Sequence, residues 1–384
     1  MNDDYLWIET AEALQALCAE LGAGEWLALD TEFMRERTYY PKLCLVQVAT
    51  PQVVACVDVL AVQSLDPLLA VLDDARILKV LHSARQDLEI FFNLNGRVPA
   101  PLFDTQLAAS FAGFPDQAGY ATVVQGVLGV NLEKSHTRAD WTRRPLPPAV
   151  RQYAADDVRY LRGIYPRLKQ KLESQQRLDW MQAETARLTD PATYRPDPDG
   201  AWQKLRGLQR LKPRQLAAAK TLAAWRERTA MQSDLPRQWV LKDEVLIDLA
   251  RQLPNTVDEL HSVRGLAEGV LNKHAEEWLA LISAARGEAK PTPLPQRLSA
   301  EQEALVDALM SVLRLQGAAA GVSPAQLASR AELEQMARGN RDVPVLQSWR
   351  LETAGRALLE LLEGKTALGV ENGTLKIQTQ GKKA

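Results

Sequence analysis

Apolar positions in the first part of the chain fall into short blocks. Positions 26–33, 43–50 and 53–60 are rich in Leu, Val and Ala, and each block has the length of a strand. Tyr40-Pro41 stands before the second block, and Thr50-Pro51 leaves room only for a tight turn before the third. The spacing predicts three consecutive strands in an antiparallel meander. A helical pattern at 65–72 leads to a short apolar strand at 77–81, a helix over 84–94 and a brief strand at Leu102-Phe103. Beyond that point the pattern is helical. Pro147-Pro148 suits a helix N-terminus, and the helix it opens is expected to run past Lys171. The whole stretch reads as an α/β domain with a mixed sheet.

Two stretches rich in Pro, Asp and Gly, 189–200 and 286–299, interrupt this patterning and read as linkers. They divide the chain into domains at 1–190, 200–286 and 298–375. The last two carry helical-period apolar positions and read as small all-α bundles. They look like diverged copies. Leu222-Ala223-Ala224-Trp225 returns as Leu309-Met310-Ser311-Val312, and Leu249-Ala250-Arg251 as Met336-Ala337-Arg338. Two copies make tandem domains, not a solenoid.

Composition narrows the class. A chain of 384 residues exceeds one ordinary core. The apolar run at 53–62 is broken by Asp58 and is too short for a membrane span. Asp3, Asp4 and Glu9 stand where a signal peptide carries basic residues, so a cytoplasmic location is expected. Cys18, Cys44 and Cys56 form no CxxC pair, which argues against a disulfide framework or a zinc knuckle. Cys44 and Cys56, inside apolar runs, are expected to pack as small hydrophobes. The net charge of -2 hides an asymmetry: residues 1–190 hold 25 acidic and 19 basic residues, the remainder 23 and 27. The basic excess lies in 201–244, with ten Lys/Arg against four Asp/Glu. Such a split suits a cation-gathering catalytic domain joined to a module that grips a polyanion.

Three short elements carry the chemistry. In Leu27-Ala28-Leu29-Asp30-Thr31-Glu32-Phe33, an apolar strand ends by placing two carboxylates at i and i+2, on one face of the strand. Two such groups raise each other's pKa unless a cation sits between them. Asp87, in His82-Ser83-Ala84-Arg85-Gln86-Asp87, falls in the first turn of a helix that follows a buried strand. In Tyr153-Ala154-Ala155-Asp156-Asp157, Tyr153 and Asp157 share one helix face. Asp104 reads as a helix N-cap, and His82 as a packed, hydrogen-bonded side chain.

In order, residue type and placement these elements resemble the DEDD exonucleases, which have a ribonuclease-H-like fold. Within them, the stretches DTEFMRERTYYP from Asp30, HSARQD from His82 and YAADDVRY from Tyr153 are similar to the ribonuclease D family. The paired helical segments resemble the HRDC domains of ribonuclease D and RecQ-type helicases. The resemblance implies metal ligation by Asp30, Glu32, Asp87 and Asp157, with Tyr153 marking the Tyr branch. It implies two Mg²⁺ or Mn²⁺ ions, with Asp30 bridging both, Glu32 and Asp157 completing the water-activating site, and Asp87 holding the second ion. Tyr153 would orient the attacking water. Carboxylates without a Cys or His cluster agree with hard divalent ions, and paired ions suit in-line phosphodiester hydrolysis.

The reaction implied is stepwise 3′-to-5′ hydrolysis of RNA, releasing 5′-mononucleotides. The implied partner is RNA with a single-stranded 3′ end, and the implied role is maturation of tRNA precursors. Candidates for holding the RNA are Phe33, Met34, Arg35, Tyr39 and Tyr40 after the first acidic pair. Lys134, Arg138, Trp141, Arg143 and Arg144 follow in a basic, aromatic loop. Arg206, Arg210, Lys212, Arg214 and Lys220 could contact the body of the RNA. Gly364-Lys365-Thr366 mimics the end of a phosphate-binding loop, but position 359 is Leu where that loop needs Gly. It reads as a helix C-terminus, without ATP binding. Two alternatives stay open at this point: a DNA 3′-5′ exonuclease, which uses the same acids, and a catalytically silent RNA-binding scaffold.

Overall fold

The structure is a computed structural model that describes residues 5–132, 139–266, 268–287 and 298–380. Its contacts divide the chain into two compact units. The first comprises the described residues of 1–32, 43–193 and 297–384; the second comprises 33–42 and 194–296.

The first unit is built on a mixed sheet of six strands in the order β1-β4-β3-β2-β5-β6. The strands are β1 (Leu6–Ile8), β2 (Trp26–Met34), β3 (Lys42–Ala49), β4 (Val54–Asp58), β5 (Leu78–Leu81) and β6 (Leu102–Asp104). β3 and β4 are antiparallel, with Leu45 opposite Asp58. β1 joins β4, β5 joins β2 and β6 joins β5, all in parallel. β3 is buried at every position after Lys42 and β4 throughout, as strands covered on both faces require. Cys44 and Cys56 lie in them as buried thiols.

Around the sheet run α1 (Ala11–Leu21), α2 (Asp66–Asp73), α3 (Arg85–Asn95), α4 (Thr105–Phe111) and α5 (Tyr120–Leu128). They are followed by α6 (Pro148–Arg159), α7 (Leu161–Ser174) and α8 (Leu178–Leu188). The single helix expected from Pro147 past Lys171 is two helices that meet at Tyr160. Pro166 lies inside α7, where it lacks the N–H of a regular turn.

In the second unit, α9 (Pro213–Ser233), α10 (Arg237–Val240), α11 (Asp243–Gln252), α12 (Val257–His261) and α13 (Glu268–Gly287) enclose a core around Leu222, Leu246 and Trp278. The stretch read as a linker at 189–200 is partly built in: it holds a 3-10 turn at Pro191–Thr193 and the buried Tyr194.

The last segment packs within the first unit. It contains α14 (Ala300–Ala320), α15 (Pro324–Leu327), α16 (Arg330–Ala337), α17 (Ser348–Arg350) and α18 (Arg356–Leu362). Ser299, Ser323 and Ser329 close capping boxes at the starts of α14, α15 and α16. Its expected all-α character is corrected by a terminal hairpin, β7 (Thr366–Glu371) and β8 (Thr374–Thr379). Asn372 and Gly373 turn the hairpin with positive φ, the pairing that two-residue hairpins favour. Gly364, at φ +70, ends the helix before it.

A seam of aromatic and charged groups joins this segment to the nuclease helices. Trp349 stacks on Trp180 with ring centroids 4.7 Å apart and meets Phe111 edge-on at 5.2 Å. Glu184 accepts hydrogen bonds from both terminal nitrogens of Arg350, one of them at 2.8 Å, and from the Trp349 indole at 3.1 Å. Arg177 spans the seam, donating to Phe111 O at 2.7 Å and Ala320 O at 2.5 Å.

Candidate active site

Leu27, Ala28 and Leu29 are fully buried in the centre of the sheet, so β2 delivers Asp30 and Glu32 at the rim of the core. α6 faces them with Asp157 in its last turn and Tyr153 one turn earlier. Carboxylate oxygens of Asp30, Glu32 and Asp157 lie within 4.8 Å of one another. Asp87 enters from the first turn of α3, buried, and its Oδ1 accepts a hydrogen bond from the Thr31 hydroxyl.

Burial and like charge both act against ionisation here. Burial first, then Asp87, Asp157 and Glu32, hold Asp30 well above the usual carboxylate range. Glu32 is pushed up to about 9 by burial and by Asp157 and Asp87. Asp87 and Asp157 are pushed up to about 7, chiefly by burial. Such a carboxylate cluster could hold a divalent cation, and its all-oxygen donor set fits a hard ion.

Around these acids stand groups that fix them. The Tyr153 hydroxyl hydrogen bonds the Asp157 carboxylate; burial first, with Asp157, Glu32 and Asp30, raises the phenol further above its ordinary value. Trp141 lies 6.4 Å from the Tyr153 ring and is buried, so it belongs to the core and offers no stacking face. Tyr120 donates to Asp156 O at 2.9 Å and so pins the turn that carries Asp157. Sequence reasoning passed over Thr31 and Tyr120: a Thr between two acids and a Tyr at a helix start give no local signal, since their partners are distant in the chain.

Asp104 is the expected N-cap. Its carboxylate accepts from Gln106 N and Leu107 N, and also from Ser83 N and Ala84 N, which anchors the start of α3 and hence Asp87. His82 is packed, with Nδ1 3.0 Å from Thr105 Oγ1.

The RNA-binding candidates separate. Arg144 is corrected: all five of its guanidinium N–H groups are engaged. Nε and Nη2 donate to Asp58 at 2.6 and 2.7 Å, Nη1 to Trp141 O and Arg143 O, and Nη2 to Cys44 O. It braces the loop before α6 against the sheet. Arg143 is exposed. Lys134 and Arg138 lie outside the described residues. Phe33, Arg35 and Tyr40 belong to the second unit, where Tyr40 packs against the helical core and Arg35 is exposed. In that unit Arg210, Lys212 and Arg214 are exposed. Trp239, 60% exposed, is an aromatic surface there that sequence reading passed over.

The 3′-5′ exonuclease family profile matches residues 5–173, the stretch that carries the mixed sheet and the carboxylate cluster. The HRDC domain profile matches residues 215–282. Ribonuclease D of Granulibacter bethesdensis is 40% identical over 382 residues, 97% of this chain and 96% of that one. Ribonuclease D of Acidiphilium cryptum is 42% identical over 380 residues, 96% of each. The crystal structure of Escherichia coli RNase D, an exoribonuclease involved in structured RNA processing, superposes with a TM-score of 0.84 at 34% identity, over 95% of this chain and 99% of that one. The catalytic core of RRP6 from Trypanosoma brucei superposes with a TM-score of 0.58 at 28% identity, over 74% and 80%. The chain belongs to the ribonuclease D family, and it is a 3′-5′ exoribonuclease.

Proposed function

We propose that the enzyme removes 5′-mononucleotides from single-stranded RNA 3′ ends at a centre of two divalent ions, Mg²⁺ or Mn²⁺, held by Asp30, Glu32, Asp87 and Asp157. The observation that carries this reading is the convergence of the Asp30, Glu32 and Asp157 oxygens within 4.8 Å. Asp30, Glu32 and Asp157 would hold one ion. Asp87, oriented by Thr31, would serve the second with Asp30. Bound divalent ions supply positive charge to the attacking and leaving oxygens of the phosphodiester. Tyr153 keeps its proton and positions Asp157 by donating to it; its oxygen can at the same time accept from the entering water. The relatives' family and the RNA-processing role of the E. coli enzyme favour structured RNAs with short tails, tRNA precursors among them.

We further infer that 298–375 is a second HRDC-like domain, on the strength of its capped helices and the internal sequence repeat. The exposed Arg210, Lys212 and Arg214 would add sequence-independent phosphate contacts.

The test is digestion of matched 3′-tailed RNA and DNA hairpins, end-labelled, with Mg²⁺ or with EDTA. Stepwise shortening of the RNA, abolished by EDTA, is expected. Asp30→Asn and Asp157→Asn are expected to abolish shortening while RNA binding persists. Equal trimming of DNA, or activity in either variant, overturns the reading.

A further inference from the structure

The chain that leaves the catalytic strand groups with the helical unit. Residues 33–42 follow Glu32 directly, yet they belong to the helical unit formed by 194–296. Tyr39 is 8% exposed and is a member of that unit's hydrophobic core, together with Leu205, Leu208 and Leu222. Its hydroxyl donates to Glu227 Oε1 at 2.5 Å. Arg237 completes the arrangement: it donates to both Glu227 oxygens, one at 2.7 Å, and its guanidinium lies 4.9 Å from the Tyr39 ring. A second anchor acts on the backbone. Asp234 Oδ1 accepts from Tyr39 N and Tyr40 N, each at 3.0 Å.

Asp234 itself adopts φ 47, ψ 46 just beyond α9, a left-handed conformation that Asp, Asn and Gly tolerate. Its carboxylate is thereby turned onto the segment as a charged acceptor for two amides, the stronger kind of hydrogen bond. These bonds fix Tyr39 and Tyr40 and leave Arg35, Glu36 and Arg37 exposed between them and β2. The unit that holds them is net basic, with nineteen Lys/Arg against fourteen Asp/Glu.

We propose that Asp234 and Tyr39 are positioning residues of the exonuclease: through them the helical unit sets the course of residues 33–38 as a segment that holds RNA. The proposal rests on the exonuclease reading above and takes up Phe33 and Arg35, candidates from the sequence for holding the RNA. It differs from a purely structural role in what it changes. Loss of the anchor weakens RNA capture and leaves the metal-binding acids as they are.

The experiment uses the full chain and a 3′-tailed RNA hairpin. Wild-type protein and Asp30→Asn are assayed first; if the wild type does not shorten the RNA, or Asp30→Asn does, the functional reading fails rather than this one. Asp234→Gly then removes both amide contacts while tolerating the left-handed backbone, Asp234→Asn keeps an acceptor in place, and Tyr39→Phe removes only the hydroxyl with its bonds to Glu227 and Arg237. Asp234→Gly is expected to raise KM for the tailed RNA about tenfold. Its kcat and its Mn²⁺ affinity by calorimetry should stay within about twofold of wild type. Asp234→Asn is expected to restore most of the loss, and Tyr39→Phe to shift KM in the same sense by less. An unchanged KM in Asp234→Gly, a fall in kcat without a change in KM, or an Asp234→Asn no better than Asp234→Gly overturns the proposal.

Discussion

Replacing Arg144 by Ala tests whether a basic residue beside the active site serves RNA or the fold. Asp58 ends β4 with its side chain 4% exposed, while Arg144 is 25% exposed. The guanidinium gives Asp58 two short bonds and closes three backbone carbonyls besides. Removing it leaves a buried carboxylate without its cation, which typically costs 3–5 kcal/mol; partial exposure of Arg144 brings the expectation to about 2–3 kcal/mol. For a unit of this size that corresponds to a fall of roughly 4–10 °C in thermal midpoint. Arg144→Ala is therefore expected to melt earlier by circular dichroism. Its KM for tailed RNA, measured well below the transition, should stay within about twofold of wild type. Arg144→Met combined with Asp58→Asn, which removes both charges, should recover part of the loss. An unchanged melting temperature with a tenfold rise in KM would refute this reasoning and return Arg144 to the RNA-binding surface.

Other consequences are as direct. In EDTA, Glu32, pushed up to about 9, and Asp87 and Asp157, pushed up to about 7, hold protons that the unfolded chain has lost. Their contribution to stability is therefore complete below about pH 4 and is lost as pH rises through 7 to 9. Thermal melts should show Asp157→Asn more stable than wild type at pH 8.5, with Mn²⁺ restoring the wild type but not the variant; identical pH profiles would contradict this. Glu184→Ala leaves the largely buried Arg350 without its carboxylate and is expected to destabilise by about 2–3 kcal/mol in urea melts. Lys79 is fully buried, and its ammonium donates to Asp74 O, Ile77 O and Ala100 O at 2.7, 2.8 and 2.6 Å. Lys79→Met should lower stability by about 2–3 kcal/mol, because three acceptors lose one charged donor; a neutral result in the same melts would show that water replaces it.

What could be read from the sequence was what local periodicity encodes. Asp30 and Glu32 share a face because a strand repeats every two residues, and Tyr153 and Asp157 do so because a helix repeats near four. The three-strand run through β4 was legible from its apolar blocks and the Pro residues between them. β1 was not, since its three residues are too few to show a period. The terminal hairpin carries a turn pair in Asn372-Gly373, but the Leu-rich helical pattern of 351–362 led the reading past it. Arg144 misled because a basic residue in a loop looks the same whether it meets a phosphate or a buried Asp58. Only the fold decides such cases. The same is true of 33–42, whose allegiance to the helical unit rests on partners nearly two hundred positions away.

The aromatic seam has a consequence for how the enzyme is made. Glu184 and Trp349 are 165 positions apart, and translation at roughly 5–20 residues per second separates their synthesis by about 10–30 s. For most of that interval the nuclease helices have left the ribosome while Trp180, Phe111 and Glu184 still lack Trp349 and Arg350. The nascent chain therefore carries an uncovered aromatic face for many times longer than helices and hairpins need to form. This face is where a chaperone would engage the growing chain, and where premature termination would leave an aggregation-prone product.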